Sequence, residues 1–291
     1  MPIETIQPVQ SIELPSAEFI FGITAGMRGI REKIERAFHD NLPVLIEGES
    51  GTGKEVIGRF LHRYSLRREG PFSKLNCAAS PASLLEGEIY GHENSATAIV
   101  RATPRGPIGL ASGGTLFFDE IGDLDLTLQR RIAETLASGR YRLCDGAEYR
   151  SVEARFVFAS SADTNAELKS RCLLERLLTP YAHYHLRLLP LRERKQDIPY
   201  LCDYLLAKFA HEFGRPVPIL SSNALETFQQ WKWPGNIREL ENWIARIVIF
   251  GAEEAIGLQF NRQLVTRQEP AMNGQAVRRE MSHMRRLRRH S

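Results

Sequence analysis

The 291-residue chain contains no C-x-x-C pair. Its four cysteines, Cys77, Cys144, Cys172 and Cys202, are too scattered to frame a zinc site or a redox dithiol, so reduced structural thiols without a catalytic part are expected. No apolar run reaches about 18 residues, which argues against a spanning helix and against a membrane partner. The start, Met1-Pro2-Ile3-Glu4-Thr5, has neither the basic nor the apolar region of a secretory signal, and the expected location is the cytoplasm. Internal repeats are missing as well. Net charge is only +3, and it is unevenly spread: residues 272–291 carry six arginines against Glu280, a net +5, which leaves −2 for the rest. Basic character is confined to the tail.

What the chain does have is a long glycine-rich motif. Gly48-Glu49-Ser50-Gly51-Thr52-Gly53-Lys54-Glu55 has the G-x-x-x-x-G-K spacing of a phosphate-binding loop. In such a loop backbone N–H groups turn inward around a polyphosphate while the lysine reaches its outer phosphates. Pro43-Val44-Leu45-Ile46 before it reads as a strand, and residues 56–62 after it have apolar groups at helical spacing, which puts the loop at a helix N-terminus. Glu55 stands where most such loops place Ser or Thr for Mg²⁺, so the metal is expected to depend on water, phosphate and an acid from elsewhere. The plainer alternative is a glycine-rich turn without ligand.

A second motif supplies that acid. Gly113-Gly114-Thr115-Leu116-Phe117-Phe118-Asp119-Glu120 reads as a strand ending in two carboxylates, the form of a Walker B strand. Its first acid, Asp119, suits Mg²⁺, and its second, Glu120, suits orienting or deprotonating a water. Residues 19–39 carry Ile23, Met27, Ile30, Ile34 and Phe38 at helical intervals. Residues 71–76 and 154–159 read as strands, 82–89 and 126–138 as helices, and 140–150 as a turn or hairpin around Asp145-Gly146. Strands alternating with helices predict a parallel sheet covered on both faces. Beyond Pro190 the patterns at 198–213, 222–231 and 236–250 are helical. The expected organisation is an extended leader (1–16), an α/β nucleotide-binding domain (17–190), a smaller all-helical lid domain (191–262) and a basic tail (263–291).

These motifs together resemble the central AAA+ domain of bacterial enhancer-binding proteins, the sigma-54-dependent transcription activators. The resemblance rests on the GESGTGKE loop with its Glu55, and on Asn76-Cys77-Ala78-Ala79 and Glu88-Ile89-Tyr90-Gly91-His92-Glu93. It extends through residues 113–123, Leu189-Pro190-Leu191-Arg192-Glu193-Arg194, and Trp233-Pro234-Gly235-Asn236-Ile237-Arg238-Glu239-Leu240-Glu241-Asn242. It spans about residues 19–250. The resemblance implies a P-loop AAA+ sheet with a helical lid, ATP and Mg²⁺ bound between subunits of a hexameric ring, and remodelling of RNA polymerase holoenzyme. It also implies roles for single residues: Lys54 on the phosphates, Asp119 on Mg²⁺, Glu120 on water, Asn76 holding that glutamate in an alternative position, and Arg238 as the lid's sensor arginine. The plainer readings are an Asn76 that caps a turn and an Arg238 in a surface ion pair.

Four departures from the family pattern set further expectations. Where the family has GAFTGA, this chain has Ser95-Ala96-Thr97-Ala98-Ile99-Val100, in which Thr97 replaces the aromatic and Ala98 the threonine that touch the sigma factor. The two arginine-finger positions fall on Leu174 and Pro180, with Arg171 and Arg176 nearby, and such a finger is worth about 10³ to 10⁵ in rate. The sensor asparagine becomes Ser161. No helix-turn-helix follows residue 250, where only one basic helix fits, suited to non-specific DNA through its arginines or to a solubilising tail.

The leading expectation is therefore an ATP-binding, ring-forming transcription regulator that pairs with itself or with a related AAA+ activator. A subunit without fingers can hold ATP that a partner's fingers hydrolyse. The alternatives are a non-enzymatic, nucleotide-gated partner subunit of an intact activator, or a decayed paralogue. No sensory segment precedes residue 19 in this sequence, so control is expected to come from outside it.

Overall fold

Three stretches of this chain are apolar almost without interruption, and a strand can bury such a run only where both faces of its sheet are covered. In the computed structural model, which describes residues 14–78, 82–93, 105–161 and 184–251, those stretches are the three inner strands of a five-stranded sheet. The strands are β1 (Val44–Glu47), β2 (Phe72–Asn76), β3 (Thr115–Asp119), β4 (Arg140–Tyr141), β5 (Arg150–Ser151), β6 (Arg155–Ser160) and β7 (Tyr184–Arg187). Five of them form one parallel sheet in the order β2-β3-β6-β1-β7, while β4 and β5 pair separately as an antiparallel hairpin. In the sheet Val44 lies opposite Val157 and Tyr184, and Asn76 lies opposite Asp119.

The two-residue period of the strands sorts their side chains into two layers. Leu45, Leu116, Phe118, Phe156 and Phe158 join Leu85 and Ile89 of α4 (Ala82–Tyr90) and Leu128 and Ile132 of α6 (Leu126–Ser138). Val44, Ile46, Phe117, Val157 and Ala159 face the other way, onto Ile30 and Ile34 of α2 (Ala25–Arg36) and Ile57 and Leu61 of α3 (Lys54–Tyr64). A third core belongs to the helices after the sheet: α7 (Ile198–Phe213), α8 (Ser222–Gln230) and α9 (Asn236–Phe250) pack around Leu201, Leu205, Phe228, Trp233, Leu240 and Ile244. Trp233 is only 1% exposed, with its indole N–H donated to the Phe228 carbonyl at 2.7 Å. No helix among the described residues is long and apolar enough to cross a membrane.

The start of the described chain departs from a single long helix. Residues 19–39 divide into α1 (Ala17–Phe21) and α2, and Ile23, placed by periodicity on the apolar face, is 57% exposed. The break is at Gly22, whose φ of +61° suits glycine and whose added Cβ would lie 2.4 Å from Asp197 Cγ. Asp197, buried between the two regions, accepts from the amides of Ile23 at 2.7 Å and Thr24 at 3.1 Å and from the Thr24 hydroxyl at 3.1 Å. A long-range carboxylate thus starts α2. Two further elements escaped the sequence reading: the edge strand β7, in which only Leu186 is buried, and the five-residue α5 (Gly106–Leu110).

One buried group makes stability depend on pH. His62 is 1% exposed, with Nδ1 2.9 Å from Thr115 Oγ1 and Nε2 without a hydrogen-bond partner among the described residues. Burial pushes its pKa down to about 4, helped by the nearby Arg59 charge and opposed by the Gly70 backbone. The unfolded chain therefore takes up this proton as pH falls through about 6.5 while the folded chain does not, so acid favours unfolding. Between pH 7 and pH 5 this group alone removes about 2 kcal/mol. Urea unfolding of wild type and His62→Gln at both pH values reads the difference, and an identical pH dependence in the two chains counts against it.

Candidate functional site

Strand β1 runs out at Glu47 and helix α3 begins at Lys54, so the glycine-rich loop crosses the C-terminal edge of the sheet between them. Gly48 N donates to Ser160 O at 3.2 Å, Thr52 Oγ1 donates to Glu49 O at 2.7 Å, and Gly53 caps α3 in the left-handed region. Free amides and the positive end of the dipole collect at such a helix start. Lys54, the first residue of α3, is 6% exposed and lies folded inward. Its Nζ donates to Gly48 O at 2.9 Å and to Ser161 Oγ at 2.8 Å, and stands 3.2 Å from Glu120 Oε1.

The neighbouring strand ends bring the acids to the same place. Glu120 follows β3 with φ 55° and ψ 51°, an unusual conformation for a residue other than glycine, and such strain is held where the surroundings over-determine it. Ser161, just past β6, fixes it: Ser161 N donates to Glu120 Oε2 at 2.8 Å and Ser161 Oγ to Oε1 at 2.6 Å. Ser161 thus reaches both Glu120 and Lys54. Asp119 Oδ2 is 3.1 Å from Lys74 Nζ, and the same ammonium donates to Glu55 Oε2 at 2.7 Å. Glu55 Oε1 also accepts from Arg59 Nε at 2.8 Å. Burial pushes the Glu55 carboxyl up, but Lys74 and Arg59 more than offset it and hold it below its usual range. Burial alone would lower the Lys74 pKa, yet Glu55 and Asp119 raise it.

The helical region closes on the loop from the other side. Ile237 N donates to Gly51 O at 3.0 Å and Arg238 Nη1 to Ser50 Oγ at 3.3 Å. Asn236 Nδ2 donates to Ser50 O at 3.0 Å and Glu49 Oε2 at 3.1 Å, while Asn236 Oδ1 accepts from Leu191 N at 2.8 Å. Gly51 has φ +78°, and a Cβ there would stand 2.3 Å from Gly235 O, so glycine is required by approach as well as by conformation. Glu49 is taken up by Arg192 at 2.7 Å, and that guanidinium, helped by Asn236 and opposed by burial, holds its carboxyl low. Buried Arg194 donates to Thr52 O at 3.3 Å.

Among the described residues, the sequence-predicted loop 48–55, Asn76, Asp119, Glu120 and Arg238 gather about one edge of the sheet, with two differences of detail. Asn76 Oδ1 accepts from Ala78 N at 3.1 Å, a turn cap, while Glu120 is engaged by Ser161 and Lys54. Glu55 faces Lys74 and Arg59. Lys74 and the paired role of Ser161 were missed, although both lie in segments that carry the motifs. Burial pushes the Cys77 thiol well up and Cys202 to about 12, which keeps both protonated. Residues 95–100, the finger positions Leu174 and Pro180 with Arg171 and Arg176, and the tail lie outside the described residues.

The order β2-β3-β6-β1-β7, a phosphate loop between β1 and α3, two acids at the end of β3 and a helical region closing on the loop define the AAA+ fold of the P-loop NTPase class. Within that class the chain belongs to the family described as the Sigma-54 interaction domain, whose profile matches residues 20–187, followed by an AAA+ ATPase lid domain at 192–276. It is 38% identical over 235 residues to the DNA-binding transcriptional activator HyfR of Escherichia coli K12, covering 81% of this chain and 35% of that protein. With the transcriptional regulator NtrC of Azospirillum brasilense identity is 37% over 239 residues, 82% of this chain and 50% of that one. The chain thus spans about a third to a half the length of these curated relatives. Among solved structures, NtrX from Brucella abortus in complex with ADP superposes with a TM-score of 0.71 at 26% identity, over 83% of this chain and 53% of the other. The same protein in complex with ATP gives 0.70, again at 26% identity over 83% and 53% of the two chains.

Proposed function

We propose that this chain binds ATP with Mg²⁺ and acts as a ring-forming AAA+ regulator of transcription of the sigma-54 activator type. The observation that carries the proposal is the meeting of Lys54, Glu120 and Ser161 within hydrogen-bond reach, beneath a loop that Arg238 and Asn236 clasp from the helical region. The donor set fits the ligand: helix-start amides and an ammonium for a polyphosphate, and Asp119 for the cation. ADP and ATP in NtrX lend support. The cation supplies charge neutralisation on the phosphates. Of the chain's own groups, Lys54 takes the outer phosphate charge, Arg238 reads from the lid whether the loop is filled, and Glu120 accepts a proton from an attacking water. For that, Glu120 must turn from Lys54, and Ser161, bonded to both, is placed to guide the exchange.

Hydrolysis is assigned to a mixed ring. With Leu174 and Pro180 at the finger positions, this chain holds nucleotide for a neighbour's arginines and gives none in return. ATP turnover measured alone and after mixing with an intact family member tests this. Turnover stimulated about 10³-fold or more over this chain alone, at levels above those of the intact partner by itself, is the expected result. Turnover of the purified chain at the rate of intact members overturns it. A non-enzymatic, nucleotide-gated partner role is the second reading, favoured by the same two positions, and ATP-dependent assembly without added turnover in the mixture supports it.

A further inference from the structure

In the phosphate site the carboxylates outnumber what a cation needs, and one lysine offsets the surplus. Glu55, Asp119 and Glu120 bring three negative charges to the loop's edge, and Lys54 answers Glu120 at 3.2 Å. The other two share Lys74, whose ammonium lies 2.7 Å from Glu55 and 3.1 Å from Asp119 and is largely buried. Arg59 holds the second oxygen of Glu55 at 2.8 Å. Lys74 itself stands on β2, directly opposite Phe117 in the register and two residues before Asn76, so it is set by the sheet and not by the mobile end of a loop.

We infer that Lys74 is a positioning residue of the nucleotide site, an internal counter-ion that keeps Glu55 off the metal and lowers the pull of Asp119 on a divalent cation. The inference rests on the function proposed above and adds to it a control on metal dependence. Glu55 and Asp119, answered by Lys74 and Arg59, together present no net charge to an incoming cation. Without the ammonium the group presents one net negative charge, and it repels an unescorted polyphosphate more strongly. Removing the Lys74 charge therefore has opposite effects on two measurements: metal-free ATP binds more weakly, and the metal binds more tightly. A lysine that merely braced β2 would weaken both together.

The test uses the full chain as wild type, Lys74→Met, Lys74→Arg and Glu55→Gln. A fluorescent ribose-labelled ATP is titrated in EDTA and in MgCl₂, and Mn²⁺ alone is titrated by electron paramagnetic resonance. The expected ratio of Kd in EDTA to Kd in Mg²⁺ rises at least about tenfold in Lys74→Met, stays near wild type in Lys74→Arg and falls in Glu55→Gln. Mn²⁺ affinity without nucleotide rises in Lys74→Met alone. An unchanged ratio in Lys74→Met with nucleotide still bound overturns the inference. Should wild type bind no ATP in either buffer, the proposed function fails, while the Mn²⁺ titration still decides on Lys74. If Lys74→Met does not fold, a ratio in Glu55→Gln equal to wild type overturns it.

Discussion

Lys54→Ala is expected to lower ATP affinity about 10- to 100-fold, because it deletes the ammonium at the start of α3 and a charge-assisted contact to phosphate is worth about 1.5–3 kcal/mol before any rearrangement. Rearrangement adds to the loss. In the folded chain Lys54 also ties Gly48, Ser161 and Glu120 together, so its removal leaves the Glu120 carboxylate with Ser161 as its side-chain partner among the described residues. Calorimetric titration of ATP into wild type and variant gives the result directly. Affinity within threefold of wild type would mean that the phosphates do not lie against this loop. The fold itself should survive, since the sheet and its two apolar layers do not depend on this side chain.

Trp233→Ala is expected to cost about 3–5 kcal/mol of stability, the range for deleting a large buried aromatic. Phe228 meets the ring edge-on at 5.3 Å, its N–H is satisfied internally, and its backbone has φ 49°. The indole thus belongs to the helical core, and the Trp233 carbonyl accepts from Asn236 N at 2.9 Å to close the Pro234-Gly235-Asn236 turn that touches the loop. Two readouts should move together: the urea midpoint falls, and ATP affinity falls with it even though Trp233 lies in a different core from the phosphate loop. A loss below about 1 kcal/mol would show that the turn is held by other contacts.

How much of this was legible in the sequence follows from the distance over which each contact acts. The phosphate loop, the acids after β3 and the three lid helices depend on local spacing, and residues 126–138, 198–213 and 236–250 form helices with the boundaries that the pattern predicts. Asp125, whose side chain accepts from Leu128 N at 2.9 Å, is the kind of start signal that a sequence carries openly. What stayed hidden depends on partners far along the chain. Lys54 and Ser161 are 107 residues apart and Asn236 and Glu49 are 187 apart, so no periodicity joins them. The division of residues 19–39 was missed for the same reason: its cause is a carboxylate 174 residues from Ile23. The edge strand β7 lacks the continuous apolar run that marks the strands inside the sheet.

The short helix α1 joins two cores that otherwise share little. Phe19 stacks on Tyr204 of α7 at 3.8 Å within the helical core, while Ile20 and Phe21 belong to the layer under the sheet, and Gly22 passes against Asp197. Together with the contacts of Ile237 and Arg238 on Gly51, of Asn236 and Arg192 on Glu49 and of Arg194 on Thr52, this attaches the lid to the α/β region both at α1 and at the loop. The two attachments lie on different segments of the chain, so a change at the loop leaves the contacts of Phe19 and Gly22 as a second tie between the cores.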